Sequence, residues 1–360
     1  MTSARSSVSP SPVDLGAGPV LVLGGYGAVG RAVAGALVDG GHPVVVAGRD
    51  GGRSSALAAR LGPRASGTTL DVDDLTGLER LLVRASAVVV CVERNNRTIA
   101  ERCIAHGVPL VDVSATPAVV DSIEALDREA RRSRSTALIS VGLAPGITNV
   151  LARALHVERP DATHIDLTLM FGTGGDHGAG SRRWILEGLA RGHAGARPRR
   201  VALIGEGTRT AHPFPFSDQF TLGAALGTPV RTRLCFESRT LTAAVFSLRR
   251  FRVLTDRPRP RTEALVERAM GAISVGSDRF VIQASTGAEH DIAALAVSGH
   301  GECEATGRVA AAAVELLLAG EVPEGVHHLD GVVDLGFLDR LSDVLVTHEL
   351  GVDGSGALRG

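Results

Sequence analysis

The chain has 360 residues, enough for two domains that each bury a core. With 44% hydrophobic residues, 3% aromatics and a net charge of -1, it lacks both the basic track and the stacking platform of a nucleic-acid binder. All 38 basic side chains are arginine, and the absence of lysine excludes Schiff-base catalysis and any Tyr-Lys proton relay.

Residues 1–18 are rich in Ser, Pro and Gly and lack the apolar centre of a signal peptide, so they read as a disordered tail. The organising stretch follows, PVLVLGGYGAVGRAVAGALVDGGHPVVVAGRD, from Pro19 to Asp50. Val20 to Leu23 is a short apolar run of the kind that forms a buried parallel strand. Gly25-Tyr26-Gly27-Ala28-Val29-Gly30 spells G-x-G-x-x-G, and Val29, Val33 and Leu37 recur every fourth residue, so a helix starts inside the motif. Gly40-Gly41 ends it, and His42 to Ala47 is a second strand. In such a unit Gly25 permits the turn, Gly27 admits a pyrophosphate to the backbone, and Gly30 lets the helix lie close on its strand. The helix start, with Ala28 and Val29, then presents free amides to phosphate.

After the second strand, where an NAD enzyme carries Asp or Glu, stand Gly48 and Arg49, with Arg53 nearby. A guanidinium pairs with a 2′-phosphate, so the cofactor expected is NADP. The competing reading makes Arg49 a solvated charge and gives the ribose to Asp50. Tyr26, the sole tyrosine, is placed beside the cofactor by its position in the turn.

Further along come a helix over 54–61, a strand over 67–72 ending in Asp71-Val72, a helix over 74–84 and an apolar strand over 87–92. Val92-Glu93-Arg94-Asn95-Asn96 ends that strand and is either the lip of a cleft or an ordinary solvated loop. Cys91 beside it is read as core packing in preference to a nucleophile. A helix over 99–106, a strand from Pro109 to Ser114, a helix over 119–132 and a strand over 136–141 complete six strands of one doubly wound parallel sheet. Gly142-Leu143-Ala144-Pro145-Gly146-Ile147 is a rigid turn at its carboxyl edge, leading into a helix.

In the second half, 164–171 and 230–236 alternate polar and apolar residues and read as half-exposed strands of another sheet. Residues 279–284 and 292–299 can pair as a hairpin, and 306–318 is helical. Between 172 and 183 lies a glycine-rich loop in which Asp176 can orient His177 as a general acid and Arg183 can pair with a substrate carboxylate; a mobile surface loop is the bland alternative. Arg231 and Arg233 share one strand face, either an anion site or a solvated surface. His212, His327 and His328 lack metal-ligand spacing, so no metal is expected. Four widely spaced cysteines and no long apolar run are read as those of a reduced, cytoplasmic protein outside the membrane.

VLGGYGAVG, AGRD, VDVSATP, GLAPGITNVLA and SGHGECEATGRVAAAAVELLL resemble the saccharopine dehydrogenase-like family of NADP-binding reductases. The resemblance implies a Rossmann domain over 19–148, an inserted α/β domain with a mixed, largely antiparallel sheet over 149–302, and a C-terminal segment over 303–360 that returns to the first domain. It also implies a homodimer. It puts Gly25, Gly27, Gly30 and Arg49 on the cofactor, Asp71 and Val72 by the adenine, and Pro145-Gly146 near the nicotinamide; Tyr26, Ala28, Val29, Gly48, Val92, Glu93 and Ser114 are read as further cofactor-binding residues. The implied reaction is hydride transfer to a C=N bond of a small amine- or amino-acid-derived substrate. Reduction of a conjugated C=C bond, and cofactor binding without turnover, stand as alternatives. Glu93-Arg94-Asn95-Asn96 departs from the small Gly/Pro-rich turn of many relatives, which bears on the substrate.

Overall fold

The computed structural model describes residues 18–172, 174, 188, 197–250, 276–287 and 292–350. The first domain alternates strand and helix: β1 (Val20–Leu23), α1 (Ala28–Asp39), β2 (Val44–Gly48), α2 (Gly51–Leu61), β3 (Ala65–Thr69), α3 (Leu75–Leu82), β4 (Ala87–Val90), α4 (Asn96–Ala105) and β5 (Leu110–Asp112). It continues with α5 (Pro117–Glu124), α6 (Asp127–Arg132) and β6 (Thr136–Ile139). One helix was expected over 119–132. It is divided because the chain tightens at Leu126, whose amide bonds the Ile123 carbonyl at 2.9 Å while its side chain turns into the core.

Every strand pair in this sheet is parallel, and β1 lies between β2 and β4, which makes the switch point where such sheets bind ligands. Alternate residues of each strand go to opposite cores. Val20, Val22, Val44, Val46 and Val89 face α1, whereas Leu21, Leu23, Val88 and Val90 face α3 and α4. A seventh strand, β13 (Gly325–His328), arrives from the far end of the chain and pairs in parallel with β6. Its short, histidine-bearing sequence has no alternation that marks a strand.

An irregular turn over Leu143–Ile147 leads into α7 (Thr148–Glu158), the bridge to the second domain. There, β7 (Ile165–Phe171), β8 (Arg199–Leu203), β9 (Gly207–Pro213), β10 (Val230–Phe236), β11 (Arg279–Thr286), β12 (Ala293–His300) and β14 (Leu345–Leu350) form a mixed sheet in the order β14-β12-β11-β7-β10-β9-β8. Among the described residues two helices accompany it, α8 (Asp218–Leu226) and α9 (Arg239–Arg250). β11 and β12 are antiparallel partners throughout their lengths, as the hairpin pattern requires.

The alternating strands are not half-exposed. In β7 every residue but Phe171 is buried, and in β10 only Arg231 is exposed. β8 folds over the polar face: Arg199 donates to Asp166 at 2.9 Å, and Gln283 bonds both the Ile204 amide and the Ala202 carbonyl at 3.0 Å. The alternation therefore records a polar face covered by protein rather than by water, in which Thr168 Oγ1 is buried without a hydrogen-bond partner.

Helix α10 (Glu302–Leu318) crosses back and packs along α1, after which β13 joins the first sheet and β14 the second. The segment after 303 thus divides between the two sheets. Its approach to α1 requires Gly307, where a β-carbon would lie 2.6 Å from the Ala32 carbonyl carbon and 2.8 Å from the Val33 amide nitrogen. Gly307→Val is expected to cost about 1–3 kcal/mol by overpacking, read as a lowered urea midpoint. Gly331→Ala, at a glycine with open space around it, should stay within about 0.5 kcal/mol.

Candidate functional site

The glycine turn is built by close contact. Positive φ falls on Gly24 (+73°), one residue before the motif, and the Gly24 and Gly25 amides both bond the Ala47 carbonyl. Gly25 is required by space instead: a β-carbon there would lie 2.8 Å from Val46 Cγ1 and 3.0 Å from the Val22 carbonyl oxygen. At Gly30 it would lie 2.3 Å from the Gly24 oxygen, which is why α1 can start directly against β1. Gly27 differs, since its β-carbon would meet only the Gly24 oxygen at 3.2 Å. The space in front of Gly27 is therefore open, and Ala28 and Val29 open the helix, whose first amides have no intrahelical partner. Open backbone and a helix start fit a pyrophosphate. Val92 closes the turn from the β4 side, its Cγ1 standing where a Gly24 side chain would be.

At the end of β2, Tyr26 packs flat on Gly48, whose missing β-carbon would lie 2.3 Å from Tyr26 Cε1. The Tyr26 hydroxyl accepts from the Asp50 amide at 3.3 Å, and the Arg53 guanidinium stacks over the Tyr26 ring at 4.3 Å. Asp50 caps α2, accepting from the Arg53 amide at 3.0 Å. The carboxylate in this corner is thus engaged with a helix end, while Arg49 is exposed and Arg53 is held in place by an aromatic face. Two guanidiniums with one capped carboxylate suit a 2′-phosphate better than a bare ribose hydroxyl.

Beyond β3, Asp71 is exposed and accepts from the Asp73 amide, and Val72 is half-buried. The polar run after β4 is engaged internally. Arg94 pairs with Asp73, and Asn95 donates to the same carboxylate at 2.5 Å. Glu93 accepts from the Ala115 and Thr116 amides at 2.9 and 3.0 Å and from the Thr116 hydroxyl at 2.6 Å, clamping the segment after β5. Asn96 is buried and donates to Asp112 and to Ser114, at 2.8 and 3.1 Å. Burial pushes the Asp112 carboxyl upward against hydrogen bonds that favour its charge. Burial, with Asp112 beside it, also holds the Cys91 thiol protonated, which suits packing rather than nucleophilic attack.

The turn after β6 completes this edge. Pro145 and Gly146 are buried, and Ala144 is the part open to solvent. The Gly146 amide donates to Asn149 Oδ1 at 3.4 Å; Asn149 donates to Asp330 at 3.2 Å, and Asp330 is paired with Arg153 at 2.8 Å. Ser140, at the end of β6, bonds His328 Nδ1 at 2.8 Å, and His328 Nε2 lies 3.6 Å from Glu124. Ser140 is only 1% exposed, so this series braces β6 against β13.

The glycine turn, Arg49, Val92, Glu93, Ser114 and the 145–146 turn all lie at the carboxyl ends of parallel strands. His177, Asp176 and Arg183 lie outside the described residues, as do Trp184 and most of that loop. Arg233 is not a solvated strand residue: it is 9% exposed and sits 3.7 Å from Asp166. Asp330 and Asp218 escaped sequence reasoning, because each is a single acid in a loop-like stretch with no repeating partner. Among the described residues no three His, Cys, Asp or Glu converge to hold a metal, and no helix is long and apolar enough to cross a membrane.

Residues 20–138 match the family described as saccharopine dehydrogenase NADP binding domain. No curated protein matches the whole sequence significantly. Among solved structures, the apo saccharopine dehydrogenase (L-Glu forming) of Saccharomyces cerevisiae is similar over 93% of this chain and 100% of its own, with a TM-score of 0.64 and 16% identity. A dehydrogenase of Clostridium difficile aligns over 90% of this chain and 96% of its own, with a TM-score of 0.41 and 7% identity. The first similarity establishes a shared fold, and the matched domain sets the cofactor as NADP(H). Residues 20–138 thus carry an NADP-binding domain of the saccharopine dehydrogenase type.

Proposed function

We propose that this protein is an NADPH-dependent reductase that delivers hydride to a C=N bond of a small amine- or amino-acid-derived substrate, acting as a homodimer. The observation that carries the cofactor half of the reading is the corner at Gly48, where Arg53 rests on Tyr26, Arg49 stands free to pair and Asp50 is engaged as a helix cap. Bound NADPH supplies the hydride; the protein supplies position. Gly27 and the α1 start would hold the pyrophosphate, and the turn over 143–147 would limit where the nicotinamide lies. Glu93, by clamping residues 115 and 116, shapes the floor on which a substrate rests.

An iminium arrives with its proton already on nitrogen, so its reduction needs alignment and exclusion of water more than an acid. The absence of lysine and the engagement of Tyr26 in packing agree with such a reaction. His177, with Asp176 behind it and Arg183 on a substrate carboxylate, is proposed as an auxiliary acid in the 172–183 loop.

Arg49→Ala and Arg53→Ala should each weaken NADPH binding about ten- to hundredfold, the worth of a charge-assisted hydrogen bond, and leave NADH binding nearly unchanged. Calorimetry with both nucleotides checks this, and equal losses for the two would remove the 2′-phosphate assignment. His177→Ala should lower kcat/KM by well under a hundredfold on an imine substrate. A loss of about a hundredfold or more would favour reduction of a C=C bond, where carbon must be protonated. Binding of NADPH without turnover across imines, enones and carbonyls would instead identify a non-catalytic cofactor binder.

A further inference from the structure

Alternation along β7 and β10 sends Ile165, Leu167, Val230 and Leu234 to the core shared with α7, and sends Asp166, Thr168, Arg231 and Arg233 to the opposite face of the second sheet. The two strands are parallel, and their register puts Arg231 beside Asp166 and Arg233 beside Thr168. β8 covers part of this face and brings Arg199 to it. Three guanidiniums therefore meet one carboxylate. Arg199 Nη1 donates to Asp166 Oδ2 at 2.9 Å, and His164 Nε2 lies 3.6 Å from the same oxygen. Arg233 Nε stops 3.7 Å from Asp166 Oδ1, and both atoms are buried without a hydrogen-bond partner.

The charges at this rim do not balance. Arg233 Nη1 donates to the Arg197 carbonyl at 3.2 Å, which satisfies a proton but cancels no charge. Arg231 is the exposed residue of β10, and among the described residues it has no hydrogen-bond or ion-pair partner. Arg199, Arg231 and Arg233 thus set three positive charges against the single negative charge of Asp166. Arg233 holds its charge at 9% exposure, where water screens it little. Burial lowers the Arg233 guanidinium from its usual range; Asp166 opposes that shift, and Arg199 and Arg231 add to it. Two positive charges are left for a group outside the chain to neutralise.

We infer that Arg199 and Arg231, backed by Arg233, form a binding site for a doubly charged oxyanion of the phosphate class, on the face of the second sheet turned away from α7. A guanidinium donates through a planar fork that matches two oxygens of a phosphoryl group. Arg231 offers a whole fork, and Arg199 has donors that Asp166 does not take. Arg233 is too enclosed to touch the ion and contributes the field behind it. Because Asp166 already holds Arg199 in place, little side-chain freedom is lost there when the ion arrives. The site goes beyond the reading given under Proposed function and depends on no part of it.

Arginine labelling with phenylglyoxal, read peptide by peptide, tests the site in the intact protein. Inorganic phosphate at millimolar concentration should protect Arg199 and Arg231 saturably, while Arg80, an exposed arginine of α3, keeps its reactivity. Sodium chloride at the same ionic strength should protect neither. Equal protection by chloride, or equal protection of all three arginines, would reduce the effect to screening and overturn the inference. Glycerol phosphate run beside inorganic phosphate identifies the source: the ligand that protects at the lower concentration shows whether the ion is taken free or as a monoester. Protection by neither would overturn the site.

Arg231→Gln removes one fork at an exposed position and leaves Arg233 and its packing in place. Half-protection of Arg199 should then need about tenfold more phosphate or beyond, the worth of a charge-assisted pair, and an unchanged concentration would overturn the inference. Stability supplies an independent readout. In dilute chloride the variant has lost one of two unneutralised charges, so its urea midpoint should equal or exceed that of the wild type. A lower midpoint would make Arg231 a structural residue and count against the site. Added phosphate should raise the midpoint of the wild type more than that of Arg231→Gln, a comparison in which the general salting effect of phosphate cancels. Equal rises in the two proteins would also overturn it.

Discussion

The approach of α1 to β1 governs this molecule. With no β-carbon at residue 30, the first turn of the helix rests on the Gly24 carbonyl, and its amides point into the space that Gly27 leaves open. The same approach fixes the height of α1 above the sheet, and α10 is then laid along α1 with Gly307 against Ala32. Because α10 also touches the turn after β6 through Thr306 beside Gly142, one backbone contact sets both the phosphate cradle and the far wall of the cleft. Side chains cannot absorb an error here, since the atoms in contact are mostly main chain.

The two domains are not independent bodies joined by a linker. Leu151 and Leu155 of α7 belong to the same apolar cluster as Val33 and Leu37 of α1 and as Leu167, Leu169 and Phe280 of the second sheet. The chain crosses between the sheets at α7, at α10 and again before β14, so both sheets share a continuous core. Any movement that opens the cleft must therefore deform packed elements, and the turn where all crossings come close is held by polar contacts of fixed geometry.

Much of the first domain was legible because its signals are local. Apolar runs of four, glycines at fixed spacing and period-four helices each depend on a few neighbouring residues, and β1 through β6 follow them to within a few positions. What was hidden is non-local. β13 becomes a strand because β6 offers it a free edge, and β7 is buried on its polar face because β8 folds over it. The Gly48 corner was half legible: Arg49 and Arg53 carry the charge in the sequence, but that Tyr26 would fill the space above Gly48 and support Arg53 needs coordinates. Gly25 likewise matters for clearance from Val46, although the turn motif assigns it the unusual dihedral that Gly24 adopts.

A buried polar junction beneath the turn is a costly way to join two domains, because a well-packed apolar cluster of the same volume is often as stable or more so. Apolar contacts, however, do not specify the height of a particular amide. Asn149 accepts from the Gly146 amide while its own amide donates to Asp330, and Asp330 is paired in turn with Arg153. Displacing any one of them leaves a buried group unpaired, so the junction favours a single arrangement of the turn. A site that must hold a hydride donor at one distance from its acceptor benefits from that exclusivity more than from added stability.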